Sequence, residues 1–220
     1  MQSWGTRSRF TERDTELEPS KSGVIGLLCA ALGLPRSVPV DQIPNQLAGL
    51  RMGVRVDHEG HMANDYHTAG GGGTGIMRAS GKLSTDAVLS NRYYLAEADF
   101  LGGLEADGLA ALERLEAALH SPRWQLFLGR KSFVPSVPVH LPGGGIRSSD
   151  LQATLEAEPW PLQPIAFARG QAVRPRLRYV LEREPGATSE VRMDQPIGAA
   201  FEARSFGPRW VETRFSGAQE

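Results

Sequence analysis

At 220 residues the chain is long enough for one large domain or a domain with a smaller companion. Its 40% hydrophobic and 22% charged residues form an ordinary globular balance that excludes disorder. No apolar run approaches the ~20 residues that cross a bilayer, and the opening residues lack the basic and apolar blocks of a secretory leader. Cys29, the single cysteine, excludes an internal disulfide, and the expected compartment is a reducing cytoplasm. The net charge of −1 argues against a free-standing polyanion binder. Charge is nevertheless segregated. Residues 121–149 and 159–181 contain no acid, while carrying Arg123, Arg130, Lys131 and Arg147, and then Arg169, Arg174, Arg176 and Arg178.

The first segment, SWGTRSR (3–9), sets Trp4, Arg7 and Arg9 in one short loop around Gly5. Bases splayed from single-stranded RNA stack on aromatic or guanidinium planes while cations hold the phosphates, and this loop has that composition. Residues 20–33 carry the clearest helix signal, with Ser20 as N-cap and Gly33 and Pro35 as the stop. Positions 24–32 are all apolar or small, so the helix is expected to be buried on most faces. Lys21 sits at its N-terminus, where free amides and the helix dipole favour a phosphate.

RMGVRVD (51–57) alternates as a half-buried strand does. Residues 58–91 form a long insertion with four successive glycines at 70–73, expected as a functional loop or a protruding hairpin. RYYLAEADF (92–100) reads as a second strand, residues 105–120 as a helix with Leu109, Leu112, Leu115 and Leu119 on one face, and RWQLFLG (123–129) as a third strand. That last strand runs into LGRKS, which places Arg130 beside Lys131. The order predicts an α+β sandwich with helices on one face of a sheet. FVPSVPVHLPGGG (133–145) marks a boundary between residues 1–140 and a smaller, β-rich part at 141–220. There RPRLRYVLE (174–182) puts Leu177, Tyr179 and Leu181 on one face, and RWVETRF (209–215) makes the last strand.

Catalytic and cofactor motifs find little support. A phosphate-cradling G-x-x-x-x-G-K-[ST] before Lys82 would need Gly at Ile76 and a hydroxyl at Leu83. His58 and His61 beside Asp57 and Asp65 amount to half a metal site, without a second cluster to complete it. Cys29 lies in the most apolar helix, where a thiol is inert. A metal-independent ribonuclease needs only a base, an acid and a cation, and Tyr66, His67 and Lys82 offer those groups. The plainer reading of these three is packing at the base of a hairpin. No cofactor and no metal are expected.

The segments MQSWGTRSRFTERDTELEPSKSGVIGLLCAALG, DYHT (65–68), RYYLAEADF, LGRKS and RMDQPIGAAFEARSFGPRWV (192–211) resemble, in that order, the CasD-type subunits of the Escherichia-type CRISPR Cascade complex, within the RAMP superfamily. Residues 34–50 and 146–190 carry no recognisable motif. The resemblance implies a ferredoxin-like, RNA-recognition-motif-like core with a thumb-like hairpin at about 64–91. It implies a non-catalytic subunit that caps the 5′ handle of the CRISPR RNA in antiviral defence. The partners implied are a Cascade backbone subunit and the large PAM-reading subunit, with target DNA met only indirectly. Gln2, Trp4, Arg7, Arg9, Lys21, Arg130, Lys131, Arg204 and Arg209 fall on or beside motif positions and become the expected RNA contacts. Tyr66, His67, Lys82 and Arg92 are assigned to the thumb.

Two departures from the family pattern stand out. Such subunits begin with an apolar strand ending near Gly-Pro, just before the M-Q-x-W-G segment, so a strand upstream of Met1 is expected. After LGRKS they often continue with Cys-Pro, where this chain has Phe133-Val134-Pro135. The alternative function is a metal-independent endoribonuclease acting on CRISPR precursor RNA. Relatives in other subtypes cut with a Tyr, Lys and His set, which finds no matching positions here.

Overall fold

The computed structural model describes residues 1–7, 11–38, 46–73, 75–78, 80–160, 176–197 and 205–217. In chain order the elements are β1 (Glu12–Arg13), α1 (Lys21–Leu32), α2 (Gln46–Gly49), β2 (Arg51–His58), β3 (His61–Ala69), β4 (Ile76–Met77), β5 (Leu83–Ser84), β6 (Val88–Ala96), β7 (Asp99–Glu105), α3 (Leu109–His120), α4 (Leu151–Ala157), β8 (Arg178–Glu182), β9 (Glu190–Pro196) and β10 (Phe206–Phe215). The fold is mixed α+β. A five-stranded antiparallel sheet runs β7-β2-β8-β10-β9, and a second sheet runs β1-β6-β3. No helix among the described residues is long and apolar enough to cross a membrane.

Strand β2 is buried from Met52 to Asp57, on both faces rather than one. Met52, Val54 and Val56 meet Val24 of α1 together with Phe100 and Leu104 of β7. On the opposite face Gly53 pairs in register with Gly103 of β7. A methyl group at either position would come 2.7–2.8 Å from Leu151 or Leu155. The two missing side chains thus form the slot into which α4 packs its leucines, beside Tyr179 and Leu181 of β8. Helices therefore cover both faces of the sheet, where one covered face was expected. The second layer is α4, which lies in a stretch that carries no sequence motif.

Arg55, on the α4 side of β2, is only 1% exposed. Its guanidinium pairs with Asp57 at 2.6 Å and donates to the carbonyls of Leu155, Glu158 and Pro159 at the end of α4. Terminal helix carbonyls left without partners are costly when buried, and a buried charge needs full pairing, so this one side chain meets both needs. Burial pushes the Asp57 carboxyl up, against the pull of Arg55.

Helix α1 spans nearly the expected residues and ends on Gly33 in the left-handed conformation (φ 72°). Ile25, Leu28 and Cys29 form a core with Leu115 of α3 and with Leu47 and Leu50. Three elements differ from the sequence reading. RYYLAEADF is two strands in two sheets, because Glu97 (φ 57°) turns the chain between β6 and β7. Residues 105–108 end β7 and lead into α3, which starts at Leu109. RWQLFLG is not a strand. The Arg123 and Trp124 amides donate to the carbonyls of Ala31 and Ala30, and the Leu128 carbonyl accepts from the Ser3 amide while the Leu128 amide donates to the Phe133 carbonyl. Its backbone groups are satisfied by a helix end and a loop, so a ladder is not required.

The insertion after β2 is a hairpin of β3 and β6, paired from His61↔Ala96 to Ala69↔Val88, with the small β4–β5 ladder toward its tip. β1 pairs in parallel along the outer side of β6. Strands from both sides of residue 140 share the five-stranded sheet, since β8 lies directly against β2.

Leu155→Ala empties the glycine slot and is expected to cost about 2–5 kcal/mol, measured by urea unfolding. A second readout is alkylation of Cys29, whose thiol is buried and pushed up to about 11. It should react faster at pH 8 in the variant than in the parent chain.

Candidate nucleic-acid interface

The N-terminal loop is held from inside. Trp4 is buried, lying so close over α1 that a methyl group on Gly23 would come 2.8 Å from its ring. Its indole N–H donates to Gln2, whose own amide donates to the Ala98 carbonyl. The Trp4 backbone amide donates to Thr15, tying the two ends of the loop together. Trp4 is a core residue that shapes the loop, not an exposed stacking platform.

Lys21 and Arg209 are likewise interior. The Lys21 ammonium bonds both oxygens of Glu182 at 2.9 and 3.0 Å, and its backbone N–H donates to Asp194. Asp194 also grips Arg209 at 2.7 and 2.8 Å. The N-terminus of α1, where the sequence suggested a phosphate, is thus filled by the Asp194 carboxylate. Burial lowers the Lys21 ammonium below its ordinary value, against the pull of Glu182. A second network lies alongside: Arg178 pairs with Glu59 and Glu18, and Arg192 also reaches Glu18. The two carboxylates hold the Arg178 guanidinium well above its usual range.

At the hairpin base the balance reverses. Arg13 of β1 stands in register with Arg92 of β6, so two cations are neighbours across a parallel ladder. Arg130 joins them, donating to the carbonyls of Tyr93 at 2.8 Å and Arg13 at 3.3 Å and lying over the Phe133 ring at 5.6 Å. Burial first, then Arg92 and Arg13, press the Arg130 guanidinium below its ordinary value, with Asp65 and Asp14 opposing. Burial and Arg13 do the same to Arg92. Gly129 (φ 91°) lets this segment pass the Ser3 carbonyl, which any side chain there would overlap. Lys131 is exposed just beyond, and the Arg7 side chain is 75% exposed.

The structure therefore brings together Arg92, expected in the hairpin, and Arg130, expected in the handle surface, and adds Arg13, which was not among the expected residues. Only the pairing of β1 with β6 reveals Arg13, since in sequence it sits unremarked inside TERD. Arg9 and Arg204 lie outside the described residues. Tyr66 and His67 are adjacent on β3 and so project from opposite faces of the hairpin. His67 is 3.4 Å from Asp65 on its own face, and Lys82 lies in the β4–β5 turn, where its carbonyl accepts from Arg78. The acid, base and cation considered for RNA cleavage are not gathered around one reacting atom. Met62, Tyr66 and Leu89 share the other face and are exposed.

Fold and surface together define a mixed α+β protein with a cationic face built where a long hairpin meets an N-terminal loop. Residues 1–212 match the family described as CRISPR-associated protein (Cas_Cas5), and the chain belongs to that family. It is 30% identical over 170 residues to the CRISPR system Cascade subunit CasD of Escherichia coli (strain K12), covering 72% of this chain and 73% of that one. A solved structure described as a crystal structure of a Cas protein shares 40% identity with a TM-score of 0.71, over 97% of this chain and 89% of the other. A chain of a CRISPR RNA-guided surveillance complex shares 29% identity with a TM-score of 0.76, over 98% and 86%. The CasD-type resemblance of the motifs is borne out.

The two kinds of arginine predict opposite outcomes. Asp194→Ala leaves Arg209 buried without its main partner and is expected to cost about 3–5 kcal/mol. Arg92→Gln relieves crowding among cations and should leave stability unchanged or raised. Urea unfolding of both variants checks the contrast.

Proposed function

We propose that the chain is a non-catalytic, guide-RNA-binding subunit of a Cascade-type surveillance complex, acting in the cytoplasm and capping the 5′ handle of the CRISPR RNA. One observation carries the reading: Arg13, Arg92 and Arg130 converge at one junction, where burial and the first two press the Arg130 guanidinium below its ordinary value. A phosphate among three guanidiniums turns that repulsion into charge-assisted hydrogen bonds. Arg7 and Lys131 extend the surface as flanking cations. The matched relatives are a Cascade subunit and a chain of an RNA-guided complex, which is the setting such a surface requires.

The order α1, β2, β7, α3 supports the ferredoxin-like reading, with the β3–β6 hairpin inserted between the two core strands as a thumb. Its exposed Met62, Tyr66 and Leu89 face suits the backbone subunit, while Arg92 on the opposite face looks toward the RNA site. The large PAM-reading subunit is the second protein partner. In this reading residues 1–140 recognise RNA and residues 141–220 supply the strands that complete the sheet.

Arg13→Gln and Arg92→Gln, tested in the assembled complex, should each weaken retention of the handle RNA. Each should also lower the slope of log affinity against log salt by about 0.7 for every phosphate that is no longer neutralised. Unchanged retention and slope in both would remove the proposed surface. The ribonuclease reading is tested separately by incubating the protein with repeat RNA in EDTA. No cleavage is expected, and cleavage abolished by His67→Ala would replace the present reading.

A further inference from the structure

An exposed tryptophan stands at the C-terminal end of α1. Trp124 is 48% exposed, yet its backbone is fixed, because the amides of Arg123 and Trp124 close the Ala31 and Ala30 carbonyls of that helix. Arg123 lays the stem of its side chain on Gly33, where a methyl group would come 2.6 Å from the arginine Cδ. Arg36 follows three residues after Gly33. Arg36 and Arg123 are both exposed, and neither guanidinium meets a carboxylate among the described residues. Arg51, Arg78, Arg147 and Arg183, by contrast, each have a carboxylate partner. Residues 19–40 and 121–149, the two segments that meet at this end of α1, contain no acid. The result is a fixed aromatic ring beside two uncompensated cations.

We propose that this end of α1 docks an acidic segment of a protein partner, with Trp124 as the apolar anchor and Arg36 and Arg123 as receptors for its carboxylates. This inference rests on the chain's place in a multisubunit complex and not on the arginine junction. Tryptophan and arginine dominate the energetic centres of protein interfaces. A guanidinium takes a carboxylate through paired hydrogen bonds, and a stem already bedded on Gly33 loses little freedom in doing so. Pro35 and Pro122, also exposed, adjoin the two arginines and add apolar area without a backbone N–H. The same features weigh against a nucleic acid. The Arg123 and Trp124 amides are spent on α1, so they cradle no phosphate. A row of phosphates would also face the negative end of the helix dipole, whereas carboxylates on extended side chains meet the guanidiniums beyond it. The site lies about 15 Å along α1 from Gly23, on which Trp4 of the N-terminal loop rests.

A photocrosslinking benzophenone amino acid placed at position 124 of the chain, in the assembled complex, reports the occupant. The expected result is a crosslink to a protein subunit, within a peptide rich in Asp and Glu, that is lost when Arg123→Gln is added. A crosslink to RNA or DNA, a crosslink to a peptide without acids, or no crosslink overturns the docking site. Trp124→Ala and Arg123→Gln should each lower retention of that subunit about tenfold. The urea midpoint of the chain should stay unchanged, because both side chains are exposed. Unchanged retention in both variants also overturns the proposal, and if either variant unfolds the crosslink alone decides. None of these outcomes touches the RNA surface, which stands or falls on the salt slopes of Arg13→Gln and Arg92→Gln.

Discussion

The Asp194 carboxylate is the anchor on which the N-terminal half of the surface depends. One side chain caps α1 and neutralises Arg209, while Glu182, beside it, takes the Lys21 ammonium and also accepts from the Met52 amide of β2. A helix start, four strands of the sheet and two buried cations are thereby fixed relative to one another. Because Trp4 lies on the first turns of α1, the loop that carries Arg7 and Glu16 inherits its position from that cluster. Buried ion pairs contribute little net stability against a well-packed apolar alternative, but they define one geometry closely. Here the geometry that they define is the seat of the N-terminal loop on α1.

The arginines of this chain fall into two populations that residue type cannot separate. Arg55, Arg178 and Arg209 are interior or nearly so and matched by carboxylates or helix carbonyls. Arg13, Arg92 and Arg130 stand close to one another, with Asp65 and Asp14 as partial counterweights. The first group tightens the fold. The second gathers positive charge at one junction, where the hairpin ladder and the Arg130 bonds to Tyr93 and Arg13 hold the segments together. A near-neutral protein can hold a polyanion in this way, by concentrating positive charge at one junction.

What was legible in the sequence is what depends on near neighbours. Helix α1, strand β2 and the strand containing Tyr179 and Leu181 follow from local periodicity and capping, and they occur close to where periodicity puts them. Helix α4 was not legible, because its docking depends on glycines at 53 and 103, far away in the chain. RWQLFLG has a strand's composition but finds its hydrogen-bond partners on a helix end, which no local pattern records. The same limit applied to the site. Lys21 and Trp4 carry the right chemistry for RNA, yet their partners, Glu182 and Gly23, turn them inward. Arg13 has unremarkable neighbours and becomes conspicuous only through its register with Arg92.

Register is therefore where fold and proposed function meet. In the β3–β6 ladder Arg92 opposes Asp65 on one face, while Tyr66 opposes Asn91 on the other. A slip of one residue would carry Arg92 to the apolar face and bring Tyr93 beside Arg13. The cationic junction would vanish with no change in composition. Nine consecutive cross-strand pairs, and the bridge of Gln2 to Leu95 on the other edge of β6, guard against that slip. The Gln2 amide adds its bond to the Ala98 carbonyl just past the Glu97 turn, and its side-chain carbonyl accepts from Trp4. The M-Q-x-W-G start thus acts on RNA indirectly in the proposed mechanism: it sets the strand offset that brings three arginines to one place.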